Sequence, residues 1–314
     1  MIEIVVAPSA GFCFGVRRAV QLAERAVGER RQGRVVSLGP LVHNHQEVDR
    51  LQSLGVEPVD LDGVAPGDTV IVRSHGVPAP LLQELEARAT GPIHDATCPH
   101  VRSCQERAGR MAAAGYAVVI VGDPGHPETE SIASHARRAR GEEPDVHRGQ
   151  EGDDPALVQV AATVADLTAA DTVKRVAVVA QTTQSLEQLT QVASACLALF
   201  GEVRVFNTIC DATTVRQREA QELARTADLV LVVGGRHSAN TTRLAQLCAQ
   251  VQPRTRQIEQ ATEIEAAWMS ASSRVLVTAG ASTPRRAVDA VVRRLEELAR
   301  TMDDVDLGAF GKTQ

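Results

Sequence analysis

The chain has 314 residues and a formal net charge of −6, and it contains 44% hydrophobic but only 2% aromatic residues. Cores of Val, Leu, Ile and Ala suit layered sheets and helices, and the length predicts two or three domains. The acidic balance and the scarcity of aromatic residues argue against a nucleic-acid partner, which needs a basic surface and stacking platforms. Because the sequence shows neither a membrane span nor a signal peptide, we expect a cytoplasmic protein.

One unit repeats along the chain: a short run rich in Val and Ile, a polar turn, and a helical pattern. Such runs indicate βα units and small, mostly parallel sheets. The predicted strands are Ile2–Ala7, Val35–Leu38, Thr69–Val72, Pro92–Ala96, Ala117–Val121, Arg175–Ala180, Val203–Thr208, Asp228–Val233 and Arg274–Thr278. The acidic segment Gly141–Asp154 is predicted to be a surface excursion. The arginine pairs Arg17-Arg18 and Arg285-Arg286 are interpreted as solvated helix faces.

The turns after these runs carry residues suited to chemistry. In chain order they present Cys13, His43, His75, Cys98, His126, Thr182, Cys210, Ser238 and Ser282. Every third unit opens with a cysteine, which indicates a threefold internal repeat. Ligands bind beyond the carboxyl ends of parallel strands, where helix N-termini present backbone N–H groups. We therefore predict three α/β domains related by pseudo-threefold symmetry, with all nine turns directed at one cavity.

The six cysteines do not indicate a disulfide framework in a reducing compartment, and no Cys-x-x-Cys pair occurs. Cys13, Cys98 and Cys210 each follow a predicted strand and precede a helix, a position that favours the thiolate. Three thiolates fit a zinc site completed by another ligand or water, or a 4Fe–4S cluster with one open iron. The other cysteines lie in helical patterns, where a buried structural role is expected: Cys104, Cys196 and Cys248.

Hydrogen-bond donors that suit an anion with many oxygens stand at the remaining turns. They are His43, His75, His126, Ser238, Asn240 and Ser282. For each of them alone, a helix cap or a turn is the more common role. Glu128, two residues after His126, is a candidate proton source. Thr182 is a candidate to orient that proton, or a simple cap of the following helix.

Nine motifs resemble one known family over nearly the whole chain. They are Gly-Phe-Cys-Phe-Gly-Val from Gly11, Val-His-Asn from Val42, Ser-His-Gly-Val from Ser74, Asp-Ala-Thr-Cys-Pro from Asp95, Gly-His-Pro-Glu from Gly125, Gln-Thr-Thr from Gln181, Ile-Cys-x-Ala-Thr from Ile209, Val-Val-Gly-Gly from Val232 and Thr-Ala-Gly-Ala-Ser from Thr278. In these motifs the sequence resembles the 4-hydroxy-3-methylbut-2-enyl diphosphate reductase (LytB/IspH) family.

The resemblance implies reductive dehydroxylation of (E)-4-hydroxy-3-methylbut-2-enyl diphosphate to isopentenyl and dimethylallyl diphosphate, the final step of the non-mevalonate pathway. It implies one 4Fe–4S cluster held by Cys13, Cys98 and Cys210 with one open iron, and Glu128 as the proton donor. A ferredoxin or flavodoxin is the implied electron donor. The residues implied to bind substrate are His43, His75, His126, Thr182, Ser238, Ala239, Asn240 and Ser282.

The expected domains are 1–98, 99–206 and 207–314, with the N-terminal strand able to pack with the third. Ala239 stands where the family often has Ser, which leaves a backbone N–H as the replacement contact, and Arg285 stands where an acid is common. Two alternatives stay open. One is another three-cysteine cluster enzyme, such as a dehydratase or a quinolinate-synthase-like enzyme, which would not need three histidines for a diphosphate. The other is a non-catalytic redox sensor, in which Glu128 would have no purpose.

Overall fold

The computed structural model describes residues 2–30, 32–141, 157–270 and 273–310, without the side chains of 303–310. The predicted excursion at Gly141–Asp154 lies outside the described residues from position 142 onward. The strands in these ranges are β1 (Glu3–Val6), β2 (Val35–Leu38), β3 (Val56–Val59), β4 (Thr69–Val72), β5 (Ile93–Asp95), β6 (Ala117–Val121), β7 (Val158–Ala161), β8 (Arg175–Ala180), β9 (Glu202–Val205), β10 (Leu229–Val233), β11 (Thr255–Ile258) and β12 (Arg274–Ala279). The α-helices are α1 (Phe14–Glu29), α2 (His45–Ser53), α3 (Ala79–Arg88), α4 (Pro99–Ala113), α5 (Pro127–Ala139), α6 (Leu186–Leu199), α7 (Asp211–Ala224), α8 (Ala239–Val251) and α9 (Arg285–Phe310).

The described strands form three four-stranded sheets that share one internal order. The orders are β3-β2-β4-β5, β7-β6-β8-β9 and β11-β10-β12-β1. Every strand pairing within the described ranges is parallel. The third sheet is completed by the N-terminal strand, with Glu3 opposite Arg274. This confirms the predicted α/β class of small parallel sheets. The strand order common to all three sheets agrees with the predicted threefold repeat.

Each sheet also contains one strand that the sequence did not predict. These strands are β3, β7 and β11, and each occupies the same edge of its sheet. Their sequences are short and partly polar: β3 contains Glu57 and Pro58, and β11 contains Arg256 and Gln257. An edge strand has one unpaired side and tolerates Pro and polar residues, and in these three strands such residues left only a weak signal. The nine predicted runs correspond to the other nine strands.

Burial explains why the central strands were predictable. Every residue of Ala117–Val121 and of Leu229–Val233 is buried. Val118 and Ile120 pack with residues of α4 and α5, whereas Val119 and Val121 pack in a second cluster with residues of α6. A parallel strand that is covered on both faces reads as a continuous apolar run, because alternate side chains enter two different cores.

Tertiary contacts divide the chain into two compact units. The first comprises Met1–Phe14, His43–Glu47 and Asp211–Gln314, and it contains the sheet of β11, β10, β12 and β1. The second comprises Gly15–Val42 and Val48–Cys210, and it contains the other two sheets. The domain boundaries at 98/99 and 206/207 stay a proposal. In the part of the chain that the structure describes, no helix has the length and apolar character that crossing a membrane requires.

Candidate active site

The three cysteines Cys13, Cys98 and Cys210 occupy equivalent places in the three sheets. Each follows the last strand in the shared order, namely β1, β5 and β9, and each lies at the start of a helix. Cys98 is the N-cap of α4, and Pro99 takes the first helical position, where a missing N–H costs nothing. The same topology thus places one thiol at each of three helix starts.

A backbone hydrogen bond fixes each cysteine in the same way. The Cys98 N–H donates to the Ser74 carbonyl at 2.9 Å, and Ser74 precedes His75. The Cys210 N–H donates to the Thr182 carbonyl at 3.0 Å. The Cys13 N–H donates to the carbonyl of Ala281, the residue before Ser282, at 3.1 Å. In every sheet the cysteine turn is therefore tied to the turn after the neighbouring strand, which carries another predicted site residue.

The six thiols fall into two chemical groups. Cys13, Cys98 and Cys210 are half-buried. The other three are fully buried, and burial raises the thiol pKa of Cys104 and of Cys248 to about 12 and that of Cys196 to about 11. Because the thiolate is the form that binds metals, the buried group is unsuited to ligation.

Glu128 is a buried carboxyl in the second unit. Only 2% of its surface is exposed, although it is the second residue of α5. The backbone N–H of Thr182 donates to Glu128 Oε1 at 2.6 Å. Burial raises the pKa of Glu128 to about 7, against the opposing effect of the hydrogen bonds from Thr182. Near neutral pH this carboxyl therefore carries its proton for a substantial part of the time.

Two imidazoles lie in the same unit as Glu128. His126 is the N-cap of α5, and its Nδ1 accepts a hydrogen bond from the Glu128 N–H at 3.1 Å. Nδ1 is therefore the unprotonated nitrogen of the ring, and Nε2 carries the proton. The ring of His75 meets the ring of His126 edge-on, with centroids 5.6 Å apart. The predicted residues His75, His126, Glu128 and Thr182 are thus linked by contacts within one unit.

A second cluster lies in the first unit. Ser282 Oγ is 3.1 Å from the His43 carbonyl oxygen and 3.4 Å from Ser238 Oγ. Ser238 is the N-cap of α8 and accepts a hydrogen bond from the Thr241 N–H at 3.4 Å. Ala239 is the first residue of that helix, as its bounds show.

Asn240 stands out in this cluster. Its side chain is 6% exposed, and neither Oδ1 nor Nδ2 has a hydrogen-bond partner among the described residues. Burying an amide without partners is costly, and such groups are rare in folded proteins. The arrangement is explained if a polar ligand supplies a hydrogen-bond partner for this amide.

The predicted site residues divide between the two units. Those in the first unit are Cys13, His43, Ser238, Ala239, Asn240 and Ser282. Those in the second unit are Cys98, Cys210, His75, His126, Glu128 and Thr182. Among the residues described, no group of three or more His, Cys, Asp or Glu side chains is arranged to hold a metal ion.

The interpretation of the arginine pairs as solvated helix faces fits Arg17, Arg285 and Arg286, which are exposed, but not Arg18, which is half-buried. Arg18 donates to the carbonyl oxygens of Asp95 at 3.2 Å and Thr97 at 3.3 Å, and so holds the turn that leads to Cys98. Arg286 forms an ion pair with the buried Glu47 at 2.6 Å. The partners lie far away in the sequence, so local pattern carried no signal for either contact.

Comparison with known proteins finds similarity over nearly the whole chain. The family model of the LytB protein matches residues 4–296. The chain belongs to the LytB family. A LytB-family relative from Geobacter sulfurreducens, named 4-hydroxy-3-methylbut-2-enyl diphosphate reductase, is 47% identical over 94% of this chain and 97% of its own length. A relative of the same name from Geobacter metallireducens is 45% identical over 94% of this chain and 98% of its own length.

Two solved structures of diphosphate reductases share the fold. The structure of an (E)-4-hydroxy-3-methyl-but-2-enyl diphosphate reductase, described as the terminal enzyme of the non-mevalonate pathway, is 39% identical and covers 95% of this chain and 100% of its own, with a TM-score of 0.68. The reductase from Plasmodium falciparum is 21% identical and supports the fold alone. It covers 93% of this chain and 87% of its own, with a TM-score of 0.80.

Proposed function

We propose that this chain is an oxidoreductase that converts (E)-4-hydroxy-3-methylbut-2-enyl diphosphate to isopentenyl and dimethylallyl diphosphate, the last step of the non-mevalonate pathway. The observation that carries this proposal is the match to reductases of that name, at 45–47% identity over 94% of the chain. The catalytic and binding residues proposed from the sequence all lie within this matched length.

Members of the LytB family are iron–sulfur enzymes. We propose that Cys13, Cys98 and Cys210 hold one 4Fe–4S cluster with one open iron. The donor set fits this group, because the three half-buried thiols sit at equivalent helix starts with equivalent backbone bonds. When bound, such a cluster supplies electrons and a Lewis-acidic iron.

The substrate diphosphate is proposed to bind the residues at the helix N-termini. Ser238 and His126 are N-caps, and the positive end of the helix dipole at such positions favours anions. The unsatisfied amide of Asn240 supports this role, because its Nδ2 donates readily to a phosphate oxygen. The complete proposed set is His43, His75, His126, Thr182, Ser238, Ala239 through its N–H, Asn240 and Ser282.

Glu128 is proposed as the general acid. Loss of a hydroxyl as water needs a proton, and a pKa of about 7 keeps that proton on Glu128 near neutral pH. Because Oε1 accepts the Thr182 N–H, the proton of the neutral acid resides on Oε2. Thr182 thereby fixes the orientation from which the proton is delivered.

The proposal is tested by turnover of the anaerobically purified protein with the diphosphate substrate and a reduced viologen dye. Formation of both product diphosphates, together with the visible and electron-paramagnetic-resonance spectra of a 4Fe–4S cluster, is the expected result. A full cluster without product would favour the redox-sensor alternative. We further propose that the enzyme is cytoplasmic and receives its electrons from a ferredoxin or flavodoxin. Replacing the dye with each protein in turn tests the electron donor.

A further inference from the structure

A short segment of the chain, His43–Glu47, is held inside the first unit by contacts with distant residues. Ser282 Oγ lies 3.1 Å from the His43 carbonyl oxygen. Gln46 Nε2 donates to the Glu259 carbonyl at 2.8 Å. A Cβ atom built on Gly235 would lie only 2.9 Å from the His43 carbonyl oxygen, so this glycine allows the segment to approach closely. Both ends of the segment therefore have defined places against residues of the third sheet and its turns.

Arg286, the second residue of α9, makes two of the contacts on this segment. Its Nη2 lies 2.6 Å from Glu47 Oε2 and donates to the Gln46 carbonyl at 3.1 Å. One guanidinium thus binds both a side chain and the backbone of the segment. Glu47 itself is 0% exposed.

The burial of Glu47 makes the ion pair important for the local structure. A carboxylate that is removed from water is tolerated only when a cation or several donors compensate it. The Glu47 N–H is also bonded to Asn44, to Oδ1 at 3.0 Å and to the carbonyl oxygen at 3.1 Å, which caps the start of α2. The position of the Glu47 side chain is therefore coupled through one helical turn to the residues just after His43.

We propose that Arg286 is a positioning residue for His43: it holds the His43–Glu47 segment through Glu47 and the Gln46 carbonyl, so that the imidazole is preset for the diphosphate. This inference deepens the proposed function and rests on it for the role of His43. Arg286 acts through His43 and needs no contact of its own with substrate. A donor that is already held in its bound position raises the affinity for the ligand, because less conformational entropy is lost on binding.

The neighbouring Arg285 provides a matched control. It has the same charge and lies on the same helix turn. Its Nε is 2.9 Å from Asp289 Oδ1 on the same helix, and its side chain is 63% exposed. Replacing Arg285 removes an exposed i,i+4 pair, which contributes little to stability.

The structural part of the inference is tested by hydrogen exchange on the anaerobic, cluster-loaded enzyme. Amides of residues 43–47 should exchange faster in Arg286→Ala than in wild type, and Arg286→Lys should restore part of the protection. Arg285→Ala should match wild type. If Arg286→Ala leaves exchange of this segment unchanged, the inference is wrong whether or not the enzyme reduces the proposed substrate.

The functional part is tested with inorganic diphosphate as the probe and by a double-mutant cycle. Arg286→Ala should weaken diphosphate binding and raise KM by roughly tenfold, with a smaller change in kcat. In a His43→Ala background the same change should add no further loss, because the residue through which it acts is gone. An equal loss in both backgrounds would overturn the positioning role. If His43→Ala alone left diphosphate affinity unchanged, the proposed substrate role of His43 would fail, and the positioning of His43 for substrate would fail with it.

Discussion

The backbone N–H of Thr182 donates to Glu128 Oε1 at 2.6 Å, and this bond joins two turns of the second unit that the sequence identified separately. The N–H stabilises the ionised carboxyl, whereas burial favours the protonated form and prevails, which leaves the pKa of Glu128 at about 7. The arrangement gives a carboxyl that is held through Oε1 and is protonated for a substantial part of the time near neutral pH. Such a group is poised to donate and to be recharged near neutral pH.

Glu128→Gln should keep the cluster and the diphosphate affinity but turn over at least ~10²-fold more slowly, since general acid catalysis typically contributes ~10²–10⁴-fold. The amide keeps the acceptor for the Thr182 N–H but cannot deliver a carboxyl proton. Single-turnover kinetics with a pre-reduced enzyme measures the step directly. Near-normal turnover with a full cluster would exclude Glu128 as the acid and direct attention to Thr182.

The stability of the protein should reveal the raised pKa of Glu128 independently of catalysis. Below the ordinary value of 4.5 the carboxyl is protonated in both the folded and unfolded states. As pH rises from there to about 7, the unfolded chain releases the proton while the folded chain keeps it, so wild-type stability falls. Above that range both forms are ionised and the loss is complete.

Glu128→Gln lacks this titration and should therefore gain unfolding free energy relative to wild type between these two pH values, by roughly 2–3 kcal/mol at most. Thermal or denaturant unfolding of both proteins across that range measures the difference. Glu106→Gln, which removes an exposed carboxyl on α4, is the control for the loss of one acidic side chain. A difference between Glu128→Gln and wild type that did not vary with pH would contradict the raised pKa.

Replacing Cys13, Cys98 or Cys210 with Ser should each abolish the cluster absorbance, because a single lost thiolate leaves too few ligands. The buried cysteines provide the controls. Cys104→Ser, Cys196→Ser and Cys248→Ser should all keep their iron content. Cys196→Ser and Cys248→Ser should also lower stability, because each buries a hydroxyl in an apolar core, whereas the Cys104 thiol already donates to the Ala180 carbonyl at 3.5 Å. Iron and sulfide analysis after anaerobic reconstitution distinguishes the two groups. Full bleaching of Cys104→Ser at unchanged folding would refute the ligand assignment.

The parts of the fold that the sequence revealed are the parts with a strong local signal. Leu229–Val233 is buried on both faces and therefore reads as an unbroken apolar run. Val56–Val59, with Glu57 and Pro58, lies at a sheet edge where packing demands little of the sequence. The sequence therefore predicted the two central strands and one edge strand of each sheet, and missed the other edge strand.

The candidate site likewise combines residues that have a local sequence signal with contacts that have none. A thiol or imidazole after a strand is visible in the sequence, and the topology confirms that the turns after β1, β5 and β9 are equivalent. The groups that hold these turns were not visible. The partner of Arg18 lies 77 residues away at Asp95, and the Gln46 carbonyl lies 240 residues from Arg286. Such pairs depend on how the strands are arranged, and no local motif specifies them.

Asn240→Leu should separate binding from stability. The substitution removes two buried polar atoms that have no partner among the described residues, so the free energy of unfolding should stay equal or rise by about 1 kcal/mol. Diphosphate binding should weaken by roughly tenfold or more, because a hydrogen bond to a charged group is lost. Calorimetric titration with inorganic diphosphate and a denaturant curve measure the two effects. Ala239→Ser, one residue earlier, is the control and should bind diphosphate at least as tightly as wild type.

Arg18 should stabilise the cluster without contacting it. Its guanidinium donates to the carbonyls of Asp95 and Thr97, on either side of Ala96 and just before Cys98. In Arg18→Ala, each of the two carbonyls loses the hydrogen bond from Arg18. The turn should then sample other conformations, and the Cys98 thiolate should be released more often. We expect the variant to fold and to reconstitute a cluster, but to lose it several-fold faster on exposure to air or a chelator.

Arg17→Ala provides the comparison, because Arg17 precedes Arg18 on the same helix and its side chain is exposed. That variant should lose its cluster at the wild-type rate. Arg18→Lys keeps the charge but has no planar fork to bridge two carbonyls, so it should fall between wild type and Arg18→Ala. The decay of visible absorbance over time measures all four proteins. Equal decay in Arg18→Ala and Arg17→Ala would show that the Asp95–Cys98 turn holds its ligand without Arg18. A wild-type rate in Arg18→Lys beside fast loss in Arg18→Ala would instead assign the effect to the positive charge.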